Sequence, residues 1–330
     1  MSKRLKWGRR KGDNRVAKKD GYALVQDVES YDNDDTLSIP EPDLDQNTPA
    51  EFESDRDLSQ TVSSAPSSQV FAFMGATGGV GTTSLATQLA HEFAVSAAQK
   101  PRGLRPVDPR VCLIDLDFET GACAHHLDLL PSLTHEDLCG PATAIDEAFT
   151  HALVSTHESG ISLLAAPNII GANARINPRT VLAILDAATE LYDTVILDLP
   201  RHRQAWTLPI MQAVDLLGIS CELTIPSLHA AREVIHQINQ DTAGHVNAEI
   251  IIGKYERRSF KNKLKLSDVE AALERHVFAT ICQDPDTIRE ALNCGEPAGA
   301  LKPDSRFVKD VRLIAQQLRT LSESSAEKAA

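Results

Sequence analysis

Short apolar runs rich in Val, Ile and Leu recur along the chain from residue 70 onward, and segments with apolar residues every three or four positions separate them. Runs of this length, apolar at nearly every position, predict strands buried on both faces. They fall near 70–74 (VFAFM), 111–115 (VCLID), 161–165 (ISLLA), 194–198 (TVILD), 216–220 (LLGIS), 249–253 (EIIIG) and 278–281 (FATI). The helical period predicts helices near 83–98, 143–153, 178–190, 205–213, 228–239, 267–274, 286–293 and 306–321. Strands alternating with helices imply crossover units. The predicted class is therefore α/β: a doubly wound, mostly parallel sheet of about seven strands with helices on both faces. No internal repeat is present. Ligands of such sheets bind beyond the carboxyl ends of the strands, and the notable polar residues fall there.

The pattern is absent before residue 68. Residues 1–19 carry nine Lys/Arg and one Asp, whereas residues 20–59 carry thirteen Asp/Glu and one Arg. A segment so charged and so poor in apolar residues cannot bury enough surface to offset its ordering entropy. The predicted organisation is a disordered polar arm over 1–67, one domain over 68–322 and a disordered tail over 323–330. The net charge of −13 argues against specific nucleic-acid binding. No stretch of 18 apolar residues and no apolar leader is visible, so a cytoplasmic protein is expected. The six cysteines show no CxxC pairing and read as reduced thiols, with Cys112, Cys221 and Cys282 in or beside strands.

The chemistry concentrates in one loop. Directly after the first strand comes Gly75-Ala76-Thr77-Gly78-Gly79-Val80-Gly81-Thr82-Thr83-Ser84, and then a helical pattern. Strand, glycine loop and helix make a phosphate cradle, because backbone N–H groups and a helix N-terminus converge on an anion. The expected nucleotide-binding residues are Thr77, Gly78, Gly79, Val80, Gly81, Thr82, Thr83 and Ser84. Thr83 holds the hydroxyl position for Mg²⁺, and Asp198, ending TVILD, is the matching Mg²⁺ carboxylate. Asp117, just past the second strand, is placed to orient an attacking water as the catalytic residue. The loop has Thr82 where a phosphate loop ordinarily has Lys. Arg201 and Arg203 follow Asp198 and are the substitute cations expected at the same sheet edge, with Lys254 as an outside candidate.

GGVGTTSLATQLA, CLIDLDFETGACAHHLDL and YDTVILDLPRHRQAW, in that order, resemble the MinD/ParA superfamily of deviant P-loop ATPases, over roughly residues 68–320. Within it the chain is similar to the CpaE/TadZ group of Tad-type pilus assembly proteins. The likeness lies in Thr82, in Asp198-Leu199-Pro200 followed by Trp206, and in Pro226-Ser227-Leu228 with Arg232. The resemblance implies a P-loop NTPase fold, ATP and Mg²⁺ as cofactors, a nucleotide-favoured face-to-face homodimer and partners in the pilus or secretion machinery. It also implies a place at the cell pole or at the inner face of the inner membrane. The chain departs from the family at Thr77, where the signature lysine is expected, and at Gly253-Lys254, where relatives often have Asn. With both lysines gone, a nucleotide-dependent or pseudo-ATPase scaffold is expected. An active partitioning-type ATPase hydrolysing ATP and a nucleotide-free interaction module are the alternatives.

The remaining features carry less. The pairs His91-Glu92, His135-Glu136 and His157-Glu158 lack the second histidine of a zinc site, and His125-His126 lacks a carboxylate at ligand spacing. The start MSKRLKWGRRK is a solvated basic tail or a peripheral membrane contact. The run 256–265 is basic and precedes an amphipathic helix.

Overall fold

The computed structural model describes residues 68–99, 111–171, 175–256 and 264–329, without side chains for 98–99 and 322–329. The expected arm, with its proposed membrane contact, and residues 257–263 of the basic run lie outside the described residues.

Eight strands form one sheet: β1 (Gln69–Gly75), β2 (Val111–Asp115), β3 (Ser155–Thr156), β4 (Ser162–Leu164), β5 (Thr194–Leu199), β6 (Leu216–Glu222), β7 (Ala248–Tyr255) and β8 (Val277–Cys282). Their order is β3-β4-β2-β5-β1-β6-β7-β8. All neighbouring pairs are parallel except β3 with β4. The seven predicted strands are present. The eighth, β3, is two polar residues long and has no apolar signature; it exists because Ser155 and Thr156 pair with Leu163 and Ser162 at the sheet edge.

Eleven α-helices are described: α1 (Thr82–Gln99), α2 (Cys123–His126), α3 (His135–Cys139), α4 (Glu147–Leu153), α5 (Pro178–Leu191), α6 (Thr207–Gln212), α7 (Ile225–Thr242), α8 (Leu266–Leu273), α9 (Pro285–Cys294), α10 (Ala298–Leu301) and α11 (Arg306–Ala329). Local chemistry sets several starts. Asn177, Thr224 and Asp284 accept N-cap hydrogen bonds ahead of α5, α7 and α9, each of which carries Pro in its first turn. The predicted helix over 143–153 is broken into a 3₁₀ turn, Ala142–Ala144, and α4, which Asp146 caps afresh. The unpredicted α2, α3 and α10 are four or five residues long, too short to show a period. At the other end α11 runs through residues predicted as a tail. SESSAEKA contains neither Gly nor Pro to stop a helix already propagating from the packed stretch.

Apolar residues fill both faces of the sheet. In β1, Val70, Ala72 and Met74 join one core cluster, and Phe71 and Phe73 join the other. The second cluster takes in α1 and α11, and the first takes in α5 and α7. With β1 between β5 and β6, the loops after β1, β2 and β5 open at one edge of the sheet.

Candidate functional site

The loop from Ala76 to Gly81 is held from behind. Ala76 N–H donates to the Ser220 carbonyl at 2.8 Å. A Cβ on Gly253 would come within 2.7 Å of the Val80 carbonyl oxygen, so β7 ends directly against the loop. Gly79 and Gly81 have φ of +74° and +93°, which a side chain would strain. The first bond into α1 runs from Leu85 N–H to the Gly81 carbonyl. Among the described residues, the amides from Gly78 to Ser84 find no backbone acceptor. A row of unpaired donors at the start of an 18-residue helix fits a phosphate.

In front of the loop is a cleft of about 600 Å³. Residues Thr77 to Ser84, Asp117, Asp198 and Arg201 all line it. The structure therefore brings every sequence-predicted site residue to one cleft except Arg203 and the outside candidate Lys254. That guanidinium turns to α7 instead, pairing with Asp241 at 2.6 Å and Gln237 at 3.1 Å. Lys254 is likewise engaged, with Glu222 at 2.8 Å. The Thr77 hydroxyl shares a hydrogen bond of 3.0 Å with the Ser227 hydroxyl, which accepts from Glu222 N–H at 2.9 Å.

The floor of the cleft is acidic and buried. Parallel pairing of β2 with β5 sets Asp115 opposite Asp198. Asp115 accepts from Asp117 N–H at 3.1 Å and Cys123 N–H at 2.9 Å. The Cys123 thiol donates to Asp198 at 3.5 Å, and Thr83 lines the cleft with that carboxyl. Burial pushes both carboxyls above the ordinary range, and the charge of Asp115 adds to the rise at Asp198. Asp115, Cys123 and Asp198 are the one group among the described residues whose ligand atoms gather within 4.8 Å. A carboxylate beside a hydroxyl, facing a phosphate cradle, suits a hard divalent cation such as Mg²⁺.

Asp117 is arranged differently. One oxygen accepts from Glu119 N–H and Thr120 N–H, and the other from the Thr120 hydroxyl at 2.7 Å. Its carboxylate closes its own turn. Gly121 completes that turn, because a Cβ there would meet Asp115 Oδ1 and the Asp117 carbonyl at 2.5 Å.

The predicted site did not include Asp115, Cys123, His202 or Ser227. Asp115 was visible as the last residue of a strand in LIDLD; Cys123 and Ser227 reach the site only through chain crossings that no spacing encodes. All six cysteines are free thiols, and Cys112, Cys123, Cys221 and Cys282 are buried. Among the described residues no helix is long and apolar enough to cross a membrane.

No protein-family model and no curated protein sequence matches the chain. Solved structures do. A ParA family ATPase from Chlorobium tepidum TLS superimposes with a TM-score of 0.66 at 21% identity, covering 76% of this chain and 99% of that one. The Pyrococcus furiosus cell division ATPase MinD gives 0.62 at 20%, covering 77% and 99%. The septum site-determining protein MinD from Pyrococcus horikoshii OT3, complexed with Mg-ADP, gives 0.61 at 17%, covering 77% and 97%. The chain thus has the fold of these ATPases.

Proposed function

We propose that the cleft binds a Mg²⁺–adenine nucleotide and that the protein works as a nucleotide-dependent scaffold of the MinD/ParA kind. The observation that carries this reading is the cleft itself: the amides from Gly78 to Ser84, free of backbone acceptors, and the Thr83 hydroxyl share about 600 Å³ with the buried Asp198 carboxyl. The amides would take the phosphates, and Thr83 and Asp198 would hold the cation, which supplies Lewis-acid charge at the phosphate oxygens. The fold it shares with a MinD solved with Mg-ADP supports the choice of ligand.

Slow or absent hydrolysis follows from two features. The loop itself supplies no lysine at Thr77 or Thr82. Asp117 accepts three hydrogen bonds within its own turn, which leaves little of its carboxylate free to orient water. In this reading the bound nucleotide favours a face-to-face homodimer. Ile170, 95% exposed, lies in the segment whose Gly171 N–H bonds Glu119 at the rim, which offers such a face an apolar contact. The cellular task we assign is assembly or positioning of a Tad-type pilus at the cytoplasmic face of the inner membrane or the cell pole. The motifs around Thr82, Asp198 to Trp206 and Pro226 to Arg232 support it.

Titration with a fluorescent ATP analogue and Mg²⁺ tests the binding claim: saturation below millimolar nucleotide is expected, and none at millimolar removes it. Phosphate release is expected at or near background. Steady turnover that disappears in Asp117→Ala would instead establish the hydrolysing ATPase. A pull-down of pilus-assembly proteins that ignores ATP would favour the nucleotide-free module.

A further inference from the structure

The loop lacks lysine, yet a cation stands over it. Arg201, on the turn after β5, lines the cleft with Asp198 and Thr83. Its guanidinium comes so near the loop that a Cβ on Gly78 would lie 3.8 Å from Nη1. Its other nitrogen, Nη2, meets His202 Nε2 at 2.7 Å; a guanidinium has only donors, so the ring nitrogen is the acceptor and steadies it. Arg203, two residues on, is fastened to Asp241 and Gln237 of α7. The same helix, at its first turn, bonds Thr77 through Ser227. One rigid element thus anchors both the loop and the turn that bears Arg201, and this fixes their separation.

We propose that Arg201 supplies the phosphate-neutralising charge in cis, reaching the nucleotide from the end of β5 rather than from the loop, and that Arg203 is a positioning residue that holds it there. The proposal rests on the nucleotide reading above and specifies how that site tolerates a triphosphate. The other ionisable groups of fixed sign lining the cleft are the carboxyls of Asp117, Glu119 and Asp198, none of which can oppose a phosphate. Without Arg201 only Mg²⁺ and backbone amides would oppose the phosphates. A guanidinium also suits this geometry, because its planar fork meets two phosphate oxygens at once. Glycine at 78 leaves the guanidinium open space above the loop.

The test is the affinity of the full chain for a fluorescent ATP analogue with Mg²⁺, measured over a range of salt. Arg201→Ala is expected to weaken binding roughly 10- to 100-fold, the range of one charge-assisted hydrogen bond, and to flatten the salt dependence. Arg201→Lys should recover part of the loss. Arg203→Gln should weaken binding several-fold while the empty protein melts as the wild type does, because its ion pair with Asp241 is half-exposed and contributes little stability. Arg203→Lys, which can still pair with Asp241, should restore binding. Wild-type affinity in Arg201→Ala, with the wild type itself binding well, overturns the role of Arg201 and leaves the nucleotide reading standing. Unaltered affinity in Arg203→Gln overturns the positioning role alone. If the wild type binds no nucleotide, the parent reading fails first.

Discussion

At the scale of single residues, the site is built on a cost. Asp198 and Asp115 are about 4% and 5% exposed, and neither has a cation beside it among the described residues. A carboxyl raised in the folded state keeps a proton that the unfolded chain releases, so its contribution to stability falls as pH rises from near 4 through the raised value. Asp198→Asn removes that burden. The expected result, at pH 8 without Mg²⁺, is a variant that melts at least about 3 °C above the wild type but gains nothing from added Mg²⁺–nucleotide. A lower melting temperature would show the carboxylate to be a structural hydrogen-bond partner instead. His126, at the same cleft, behaves in the opposite sense. Burial, then the charge of His125, lowers its pKa from 6.5 to about 4. Its stabilising contribution is intact above 6.5 and is lost as pH falls from 6.5 toward 4, since only the unfolded chain then takes up the proton. His126→Gln should therefore lose less stability than the wild type over that window, by about 1–2 kcal/mol, as read by urea midpoints at several pH values.

At the scale of elements, glycines decide which backbones can approach. A Cβ on Gly218 of β6 would lie 2.5 Å from Phe73 Cδ1 and 3.0 Å from Ile251 Cδ1. Gly218→Ala should cost about 1–3 kcal/mol by overpacking the centre of the sheet, seen as a lower urea midpoint with an unchanged slope. Gly253→Ala acts on the site instead, because its Cβ would press 2.7 Å from the Val80 carbonyl. It should displace the loop and weaken nucleotide binding more than it lowers stability. The seven longer strands were readable from their apolar runs. Strand β3 and helices α2, α3 and α10 were not, because β3 has no apolar run and helices of four or five residues show no period; these elements exist through contacts with neighbours.

At the scale of the whole molecule, two packed faces share one sheet, and the cleft opens at the sheet edge where the loops after β1, β2 and β5 meet. A ligand that binds only this arrangement must stabilise all of it. At a hundred times its dissociation constant, Mg²⁺–nucleotide should raise folding stability by about 2.7 kcal/mol. Calorimetry reads this as a higher melting temperature, and light scattering of the same samples reports whether a dimer forms with it. No shift at saturating nucleotide would mean that the cleft does not engage the ligand.

The order of the chain's apolar and glycine-rich segments determined the fold class, the seven main strands and the loop from Gly75 to Ser84, because period and backbone freedom are local properties. Only the tertiary structure decided which distant groups would share a space. Parallel pairing of β2 with β5 set Asp115 against Asp198. The crossing of α7 took Arg203 away from the cleft and tied Thr77 to Ser227, while the turn after β5 left Arg201 beside Gly78. Two arginines two positions apart look interchangeable in a sequence; the direction each side chain takes depends on what packs beside it.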